Sequence, residues 1–269
     1  MDTVSISPTV LYSLIGTARS PLVLDVRRAS AFDADPRLIA AALRPIPDPV
    51  TFAKGHAAGR AVVAYCVHGH EVSREAARAL SQAGHDASFL EGGIAAWSEA
   101  GLPTIRSRPE WRVPGRSRWI TRARPKIDRV ACPWLIRRFI DPLAAFDYVP
   151  AARVLDEAKV RDAVPYDLPG VALTHRGERC SFDALIEDFA LRDPALDRLA
   201  TIVRGADTDR PDLAPQCAGL VAASLGLSAR YADDHEMLEH AMTLYDGLYA
   251  WCRQEAEGRS ERHDWKPAQ

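Results

Sequence analysis

The sequence predicts an α/β domain with a doubly wound parallel sheet, followed by a mainly α-helical (α+β) second domain. Three observations support this fold class. Apolar runs alternate with helical patterns in the first hundred residues, which is typical of a parallel sheet with helices on both faces. The second half carries mostly helix starts and amphipathic stretches. Net charge also separates the segments: it is 0 for residues 1–106, +6 for 107–126 and −8 for 127–269. We therefore expect domains at 1–106 and 127–269, joined by a basic linker at 107–126.

The composition is that of an ordinary soluble globular protein. Of the 269 residues, 47% are hydrophobic and 26% are charged, which excludes a wholly disordered or collagen-like chain. The apolar runs fall short of the roughly 18 residues that span a bilayer. An acid at position 2 stands where a signal peptide carries basic residues. The five cysteines are scattered and form no CxxC motif, so we expect reduced thiols in a cytoplasmic protein.

Local signals define the elements of the first domain. Ser7 and Pro8 mark a helix start, because serine caps free amide groups and the first turn tolerates proline. Continuous apolar runs are typical of strands that are buried on both faces of a sheet. We predict strands at 22–26, 61–65 and 88–90, and helices at 8–15, 74–84 and 94–101. In such a sheet, ligands bind at the carboxyl ends of the strands.

A cysteine stands at that position. Cys66 directly follows the strand at 61–65 and opens a loop before the next helix. The loop consists of Val67, His68, Gly69, His70, Glu71, Val72 and Ser73. A strand–loop–helix junction directs several backbone N–H groups at one point, and the helix N-terminus adds partial positive charge. This setting lowers a thiol pKa and holds an oxyanion or a persulfide sulfur. The alternative is a buried cysteine that only fills space.

The first domain resembles the rhodanese family over residues 7–105. The stretch from Leu90 to Pro103, with Glu91-Gly92-Gly93 near its start, is similar to the closing signature of that family. Residues 24–27 resemble its early Asp-Val-Arg strand, and Cys66 stands where the family has its sulfur-carrying cysteine. The resemblance implies that Cys66 is the catalytic thiol, which carries a persulfide or attacks an oxyanion or a sulfur donor.

The loop departs from the rhodanese pattern in two ways. The usual arginine position is taken by Glu71 or Val72, and the serine that follows comes one residue late, at Ser73. An acid beside the thiolate is expected to raise the thiol pKa and weaken anion binding. His68 and His70 either restore positive charge and donate protons, or are solvated loop residues. The longer loop favours a larger oxyanion than the sulfur of thiosulfate. Residues 38–47 also replace the segment in which the family usually carries Gly-His-Ile-x-Gly-Ala.

The basic linker allows two interpretations. It holds seven basic residues with Trp111 and Trp119 among them, a mixture that grips a nucleic-acid backbone and stacks on bases. It lacks a DNA-reading motif and precedes an acidic domain. We therefore favour a strap that packs across that domain through opposite charge.

The second domain is predicted to be mainly helical, with two short strands. Proline or serine starts helices at 133, 181, 194 and 215, and the last helix repeats apolar residues from 238 to 252. The strands are predicted at 146–149 and 170–174. Cys132 abuts a helix start, where the thiol pKa is expected to fall. Cys217 and Cys252 lie at apolar helical positions and are expected to pack in the core.

The last helix also predicts a metal site. His235, Glu239, Met242 and Asp246 share an arc of about 60° on one face, where His and Glu four residues apart reach one cation. His175, Asp207 and Asp209 are candidates to complete the site. Mixed histidine and carboxylate ligands favour zinc, iron or manganese. The alternative is an ordinary i,i+4 pair near a helix N-terminus.

Residues 119–253 resemble the C-terminal domain of the chromate resistance protein ChrB. Its blocks are similar to residues 124–141, 175–183 and 203–209 of this chain. The resemblance implies a place in bacterial chromate response. We expect Cys66 to handle a small oxyanion or sulfur donor: chromate, thiosulfate or a persulfide. One alternative is a thiosulfate or persulfide sulfurtransferase with an appended regulatory domain. The other is a chromate-sensing transcription regulator that binds DNA through the basic linker.

Overall fold

The computed structural model describes residues 3–45, 48–111 and 117–258. The first domain contains, in chain order, β1 (Ser5–Ile6), α1 (Pro8–Leu14), β2 (Leu22–Asp25), α2 (Ala29–Ala34), β3 (Arg37–Ile39), β4 (Ala42–Leu43), α3 (Pro49–His56), β5 (Val62–Tyr65), α4 (Glu71–Gln82), β6 (Ala87–Leu90), α5 (Gly93–Glu99) and β7 (Thr104–Arg106).

The predicted parallel sheet of the first domain is confirmed. Its five strands lie in the order β1-β6-β5-β2-β4, and every pair is parallel. The central strand β5 is buried along its whole length, as its apolar sequence requires. In the segment at 38–47, residues 38 and 39 lie in β3 and residues 42 and 43 form the edge strand β4, while residues 46 and 47 lie outside the described residues. The antiparallel pair of β3 and β7 was not predicted.

The second domain combines a small sheet with helices. It contains β8 (Arg118–Arg122), α6 (Asp128–Leu135), a π-helical turn (Ile136–Ile140), β9 (Ala145–Val149), a 3₁₀ turn (Ala151–Arg153), α7 (Val154–Arg161), β10 (Val164–Pro165), α8 (Ser181–Asp188), α9 (Pro194–Asp207), a second 3₁₀ turn (Pro211–Leu213), α10 (Gln216–Arg230) and α11 (Asp234–Ala256). Among the described residues, none of these helices has both the length and the apolar character that a membrane span needs.

Three predictions for the second domain change. Residues 118–122 form β8, the central strand of the parallel sheet β10-β8-β9, so this part of the predicted linker belongs to the second fold. Residues 170–174 form no strand: the chain turns at Gly170, and only Leu173 makes a bridge, to Tyr166. The edge of the sheet is instead taken by β10. The helix predicted to start at Pro133 already begins at Asp128, with Pro133 inside it.

The two domains share one apolar core. Leu11 and Ile15 of the first domain belong to the same buried cluster as Phe139 and Tyr249 of the second. Gly16 lies at this contact with a φ of +81°, and a Cβ atom there would lie 2.5 Å from the Tyr249 ring and 2.7 Å from the Phe139 ring. A side chain at position 16 therefore would not fit. The shared core fixes the position of one domain relative to the other.

Candidate functional site

Cys66 lies at the carboxyl end of the central strand, between β5 and the start of α4. Its side chain is buried, with 7% of its surface exposed. The sulfur lies 3.2 Å from the hydroxyl oxygen of Ser73, one turn into α4. The serine that comes late in the sequence therefore still reaches the thiol, because the first turn of α4 carries it back over the loop.

The loop is held by the glycines of the closing signature. The N–H groups of Ile94 and Ala95, at the start of α5, donate to the carbonyls of Cys66 and Val67, both at 3.0 Å. Gly93 has a φ of +58°, and a Cβ atom there would lie 2.6 Å from the Val67 carbonyl oxygen and closer still to that of Cys66. No residue with a side chain allows this approach, which explains why glycine stands at position 93, far from the cysteine in sequence.

Hydrogen bonds to the sulfur dominate the electrostatics of the thiol. Burial alone would raise the pKa of Cys66, but the Ser73 hydroxyl and the backbone N–H groups at positions 73, 70 and 68 lower it below its ordinary value. The expectation that an acid in the loop raises this pKa is therefore wrong. Glu71 starts α4 and is exposed, and it is not among the groups that shift the pKa of Cys66.

A cavity of 410 Å³ opens beside the thiol. The Cys66 loop forms one wall, with His68 and His70, whose rings lie 5.8 Å apart, and Glu71 on it. The other wall is formed by residues that follow β2, including Arg27 and Arg28. Arg27 is buried and bound to Asp25, with Nη2 2.7 Å from Oδ2, so it holds the fold together. Arg28 is exposed on this wall and is a positively charged residue that the sequence pattern did not single out.

Alkylation of Cys66 by iodoacetamide is expected to show a midpoint below the pH of about 8.5 that is typical of a free cysteine. The thiolate is the reactive form, and a lowered pKa increases its fraction at every pH below that value. Ser73→Ala removes a hydrogen bond to the sulfur and is expected to raise the midpoint. Mass spectrometry of the modified peptide measures the rate. Cys252→Ser serves as the control with an unchanged profile, and a Cys66 midpoint at or above 8.5 would contradict the geometry.

A second cluster forms around His175. Its Nε2 atom lies 3.2 Å from Oδ2 of Asp207, 3.3 Å from Oδ2 of Asp128 and 3.4 Å from Oδ1 of Asp167. Asp128 and Asp167 are buried, with 2% and 4% exposure, whereas the His175 side chain is 41% exposed. The predicted pair of His175 and Asp207 thus comes together, but with two acids that the sequence reasoning missed.

The other predicted metal ligands lie elsewhere. Glu239 forms an ion pair with Arg137 at 2.6 Å. The His235 ring packs edge-on against Tyr148, with 5.4 Å between centroids, and Asp209 is exposed after the end of α9. The prediction of a site with Asp209, His235 and Glu239 is therefore corrected. The acids on this face of α11 pair with arginines of the π-helical turn. As Arg137 does with Glu239, Arg138 forms an ion pair with Asp246, at 2.8 Å.

The charges in the His175 cluster are strongly coupled. A hydrogen bond to Asp128 and the neighbouring acids raise the pKa of His175 to about 9. Burial and the negative charge of Asp128 raise the pKa of Asp207 to about 7. The Asp167 carboxylate forms ion pairs with the guanidinium groups of Arg122, at 2.7 Å, and Arg129, at 3.3 Å. The cluster thus places three carboxylates around one imidazole, whose side chain is accessible to solvent.

Comparison with known proteins agrees with both halves of this architecture. The rhodanese-like domain family matches residues 7–100, and the family described as ChrB, C-terminal domain matches residues 119–252. The chain joins a rhodanese-like domain to a ChrB C-terminal domain. Protein ChrB of Cupriavidus metallidurans is 36% identical over 146 residues, which are 54% of this chain and 43% of that protein. The chain therefore spans less than half the length of this relative.

Solved structures resemble the rhodanese-like domain. A rhodanese-related protein from Thermoplasma volcanium is 28% identical and matches 39% of this chain and 99% of its own, with a TM-score of 0.31. A thiosulfate sulfurtransferase from Pseudomonas aeruginosa is 25% identical and matches 39% of this chain and 20% of its own, with a TM-score of 0.32.

The basic stretch packs on the ChrB C-terminal domain. Four of its arginines pair with acids of that domain: Arg108 with Asp188, Arg118 with Asp147, Arg122 with Asp167 and Arg124 with Asp234. Trp119 is fully buried, and Trp111 contacts Phe189. The arginines at 112 and 116 lie outside the described residues. Arg118, Arg122 and Trp119 lie in β8 within that domain, so the strap interpretation applies only to the part before it, where Arg108 pairs with Asp188. Both tryptophans are engaged in packing.

The cysteines of the ChrB C-terminal domain are all buried. Burial raises the pKa of Cys132, so the expectation of a lowered value at that helix start is wrong. The helix begins four residues earlier, at Asp128, so the Cys132 amide and thiol lie inside the apolar core. Cys217 and Cys252 belong to the same core, as predicted. Cys66 remains the thiol whose surroundings favour the thiolate.

Proposed function

We propose that this protein acts in bacterial chromate resistance or response and handles a small oxyanion or sulfane sulfur at Cys66. The observation that carries the proposal is the Ser73 hydroxyl 3.2 Å from a buried sulfur that opens a strand-to-helix loop beside a cavity, where loop N–H groups also lower the pKa of the thiol. Such donors stabilise negative charge, whether it resides on a thiolate, on a persulfide or on the oxygens of a bound anion.

The chemistry of Cys66 with a sulfur donor is a simple displacement. The thiolate attacks the outer sulfur of thiosulfate, the S–S bond of thiosulfate breaks, and sulfite leaves with the electron pair. The product is a persulfide anion on Cys66, held by the same N–H groups. Arg28 on the opposite wall adds positive charge for the sulfonate or for the oxygens of a tetrahedral dianion such as chromate. The ChrB C-terminal domain supports chromate as the physiological context.

Intact-mass analysis tests the thiol chemistry. Incubation with thiosulfate is expected to add about 32 Da, the mass of one sulfur atom, mapped to Cys66 and removed by a reductant. Cys66→Ser is expected to abolish the addition, and Cys252→Ser is expected to leave it intact. Chromate, added first, is expected to slow alkylation of Cys66 if it occupies the same cavity. Wild-type protein that neither gains sulfur nor is protected by chromate would refute the proposal.

Turnover separates the proposal from its nearest alternative. A thiosulfate sulfurtransferase with an appended regulatory domain would pass the sulfur to cyanide in repeated cycles, forming thiocyanate. The loop carries no arginine, and Glu71 is an acid, so we expect weak binding of anionic thiosulfate and little turnover with these substrates. Rapid cyanide-dependent turnover that Cys66→Ser removes would favour the sulfurtransferase.

A further inference from the structure

We infer that Asp128, His175 and Asp207 form a binding site for a divalent first-row transition-metal ion in the ChrB C-terminal domain. The three residues come from the start of α6, from the loop before α8 and from the end of α9. This inference does not rest on the chemistry of Cys66, which belongs to the other domain.

The spacing of the donor atoms matches a coordination sphere. Nε2 of His175 lies 3.3 Å from the Asp128 carboxylate and 3.2 Å from that of Asp207, and ligand atoms of the three residues all lie within 4.8 Å of one another. Zinc binds nitrogen and oxygen at about 2.0–2.2 Å, so tetrahedral ligand atoms are separated by about 3.3–3.6 Å. The imidazole nitrogen already stands at about this separation from each carboxylate, and the three ligand atoms lie close enough together to share one ion.

The charge of the cluster supplies an independent argument. Asp128 is 2% exposed, and among the described residues its ion-pair partner is His175, with no arginine or lysine. Asp207 likewise pairs with His175 alone within that part of the chain. The nearby cations Arg122 and Arg129 both bind Asp167. Within the described residues, His175 is the cation that these two carboxylates share, and a dication that displaces the imidazole proton adds net positive charge to the pair.

The donor chemistry defines the class of ion. An imidazole with two carboxylates suits zinc, manganese or iron(II), whereas calcium takes oxygen ligands. Asp167 flanks the site: its Oδ1 atom accepts a 2.8 Å hydrogen bond from Ser181, and its Oδ2 atom binds the arginines. Its Oδ1 atom lies 3.4 Å from the same Nε2 atom of His175, so Asp167 places a further negative charge beside the ion. The exposed side of His175 leaves the ion open to solvent.

Metal titration of the full chain tests the site. We expect purified protein, stripped with a chelator and then titrated with Zn²⁺ or Mn²⁺, to bind about one equivalent and to unfold at a higher temperature when loaded. His175→Ala and Asp207→Asn are each expected to weaken binding at least about tenfold. The matched controls are His235→Ala and Glu239→Gln, which change a histidine and an acid outside the cluster and are expected to bind like the wild type.

Each result decides the inference. Binding of one equivalent by the wild type and the controls, but not by the cluster variants, supports it. Wild-type protein without stoichiometric metal overturns it and indicates that protonated His175 alone balances the acids. Unchanged binding by His175→Ala and Asp207→Asn also overturns it. Circular dichroism checks that the variants fold, and the wild-type titration remains decisive if they do not. Cys66→Ser is expected to bind metal like the wild type. A result that overturns the metal site therefore leaves the proposal for the Cys66 thiol untouched, and the reverse also holds.

Discussion

Replacing Asp193 with alanine is expected to destabilise the folded protein by about 4 kcal/mol, because one carboxylate serves two functions. Its Oδ1 atom caps α9 by accepting from the N–H groups of Ala195 and Leu196, at 2.8 and 3.2 Å. Its Oδ2 atom accepts from the hydroxyl of Tyr12 in the first domain, at 2.8 Å, and from that of Tyr249 in α11, at 3.0 Å.

The size of the effect follows from what the substitution leaves behind. Loss of a helix cap costs about 1 kcal/mol. The Tyr249 hydroxyl, left buried without its acceptor, costs about 1–3 kcal/mol more, and the half-buried Tyr12 hydroxyl adds a smaller loss. Asp193 is 2% exposed and Tyr249 is 1% exposed, so water does not readily replace the carboxylate. Urea unfolding, followed by circular dichroism, measures the loss.

Asp48 provides a matched control for Asp193. Both are aspartates at a helix N-cap followed by proline, and Asp48 accepts from the N–H groups of Val50 and Thr51, both at 3.0 Å. No tyrosine hydroxyl donates to Asp48 among the described residues. Asp48→Ala is therefore expected to cause only a minor part of the Asp193→Ala loss. Equal losses would show that the contact between the domains contributes nothing beyond the cap.

Gly93→Ala is expected to cost about 3 kcal/mol or more and to abolish the selective reactivity of Cys66. The added Cβ atom would meet the carbonyls of Cys66 and Val67 and the N–H group of Gly69, the last at 2.7 Å. All three are backbone atoms of the loop, so relief of the clash must move the amides away from the sulfur. Iodoacetamide labelling at neutral pH measures the second effect, and urea unfolding measures the first.

Gly101→Ala separates the clash from backbone strain. Gly101 follows the other end of α5 and also has a positive φ, +67°. Nothing lies within 4 Å of a Cβ atom built on it. Its substitution is expected to cost about 1 kcal/mol, the strain of a left-handed backbone, and to leave Cys66 labelling unchanged. The account of the loop fails if Gly93→Ala behaves like Gly101→Ala in both measurements.

Local features of the chain were predictable from sequence. The strand before Cys66 and the helix after it follow from an apolar run and from the spacing of alanines and leucines. The loop between them must stand at the carboxyl end of the sheet, because parallel strands all end at one edge. The lowered pKa of Cys66 was expected from this junction, but the effect assigned to Glu71 was not correct, since the direction of its side chain depends on where α4 begins.

The sequence by itself determined the two domain families, the parallel sheet and the place of Cys66, since each depends on short-range spacing or on a contiguous signature. Only the tertiary structure decided which acids surround His175. Helical periodicity correctly put His235 and Glu239 on one face, yet the arginine that meets Glu239 comes from another element, as does Asp128 beside His175. Spacing along one helix defines which side chains share a face of that helix. Packing of segments far apart in the chain decides which charges meet, and that depends on the shared core.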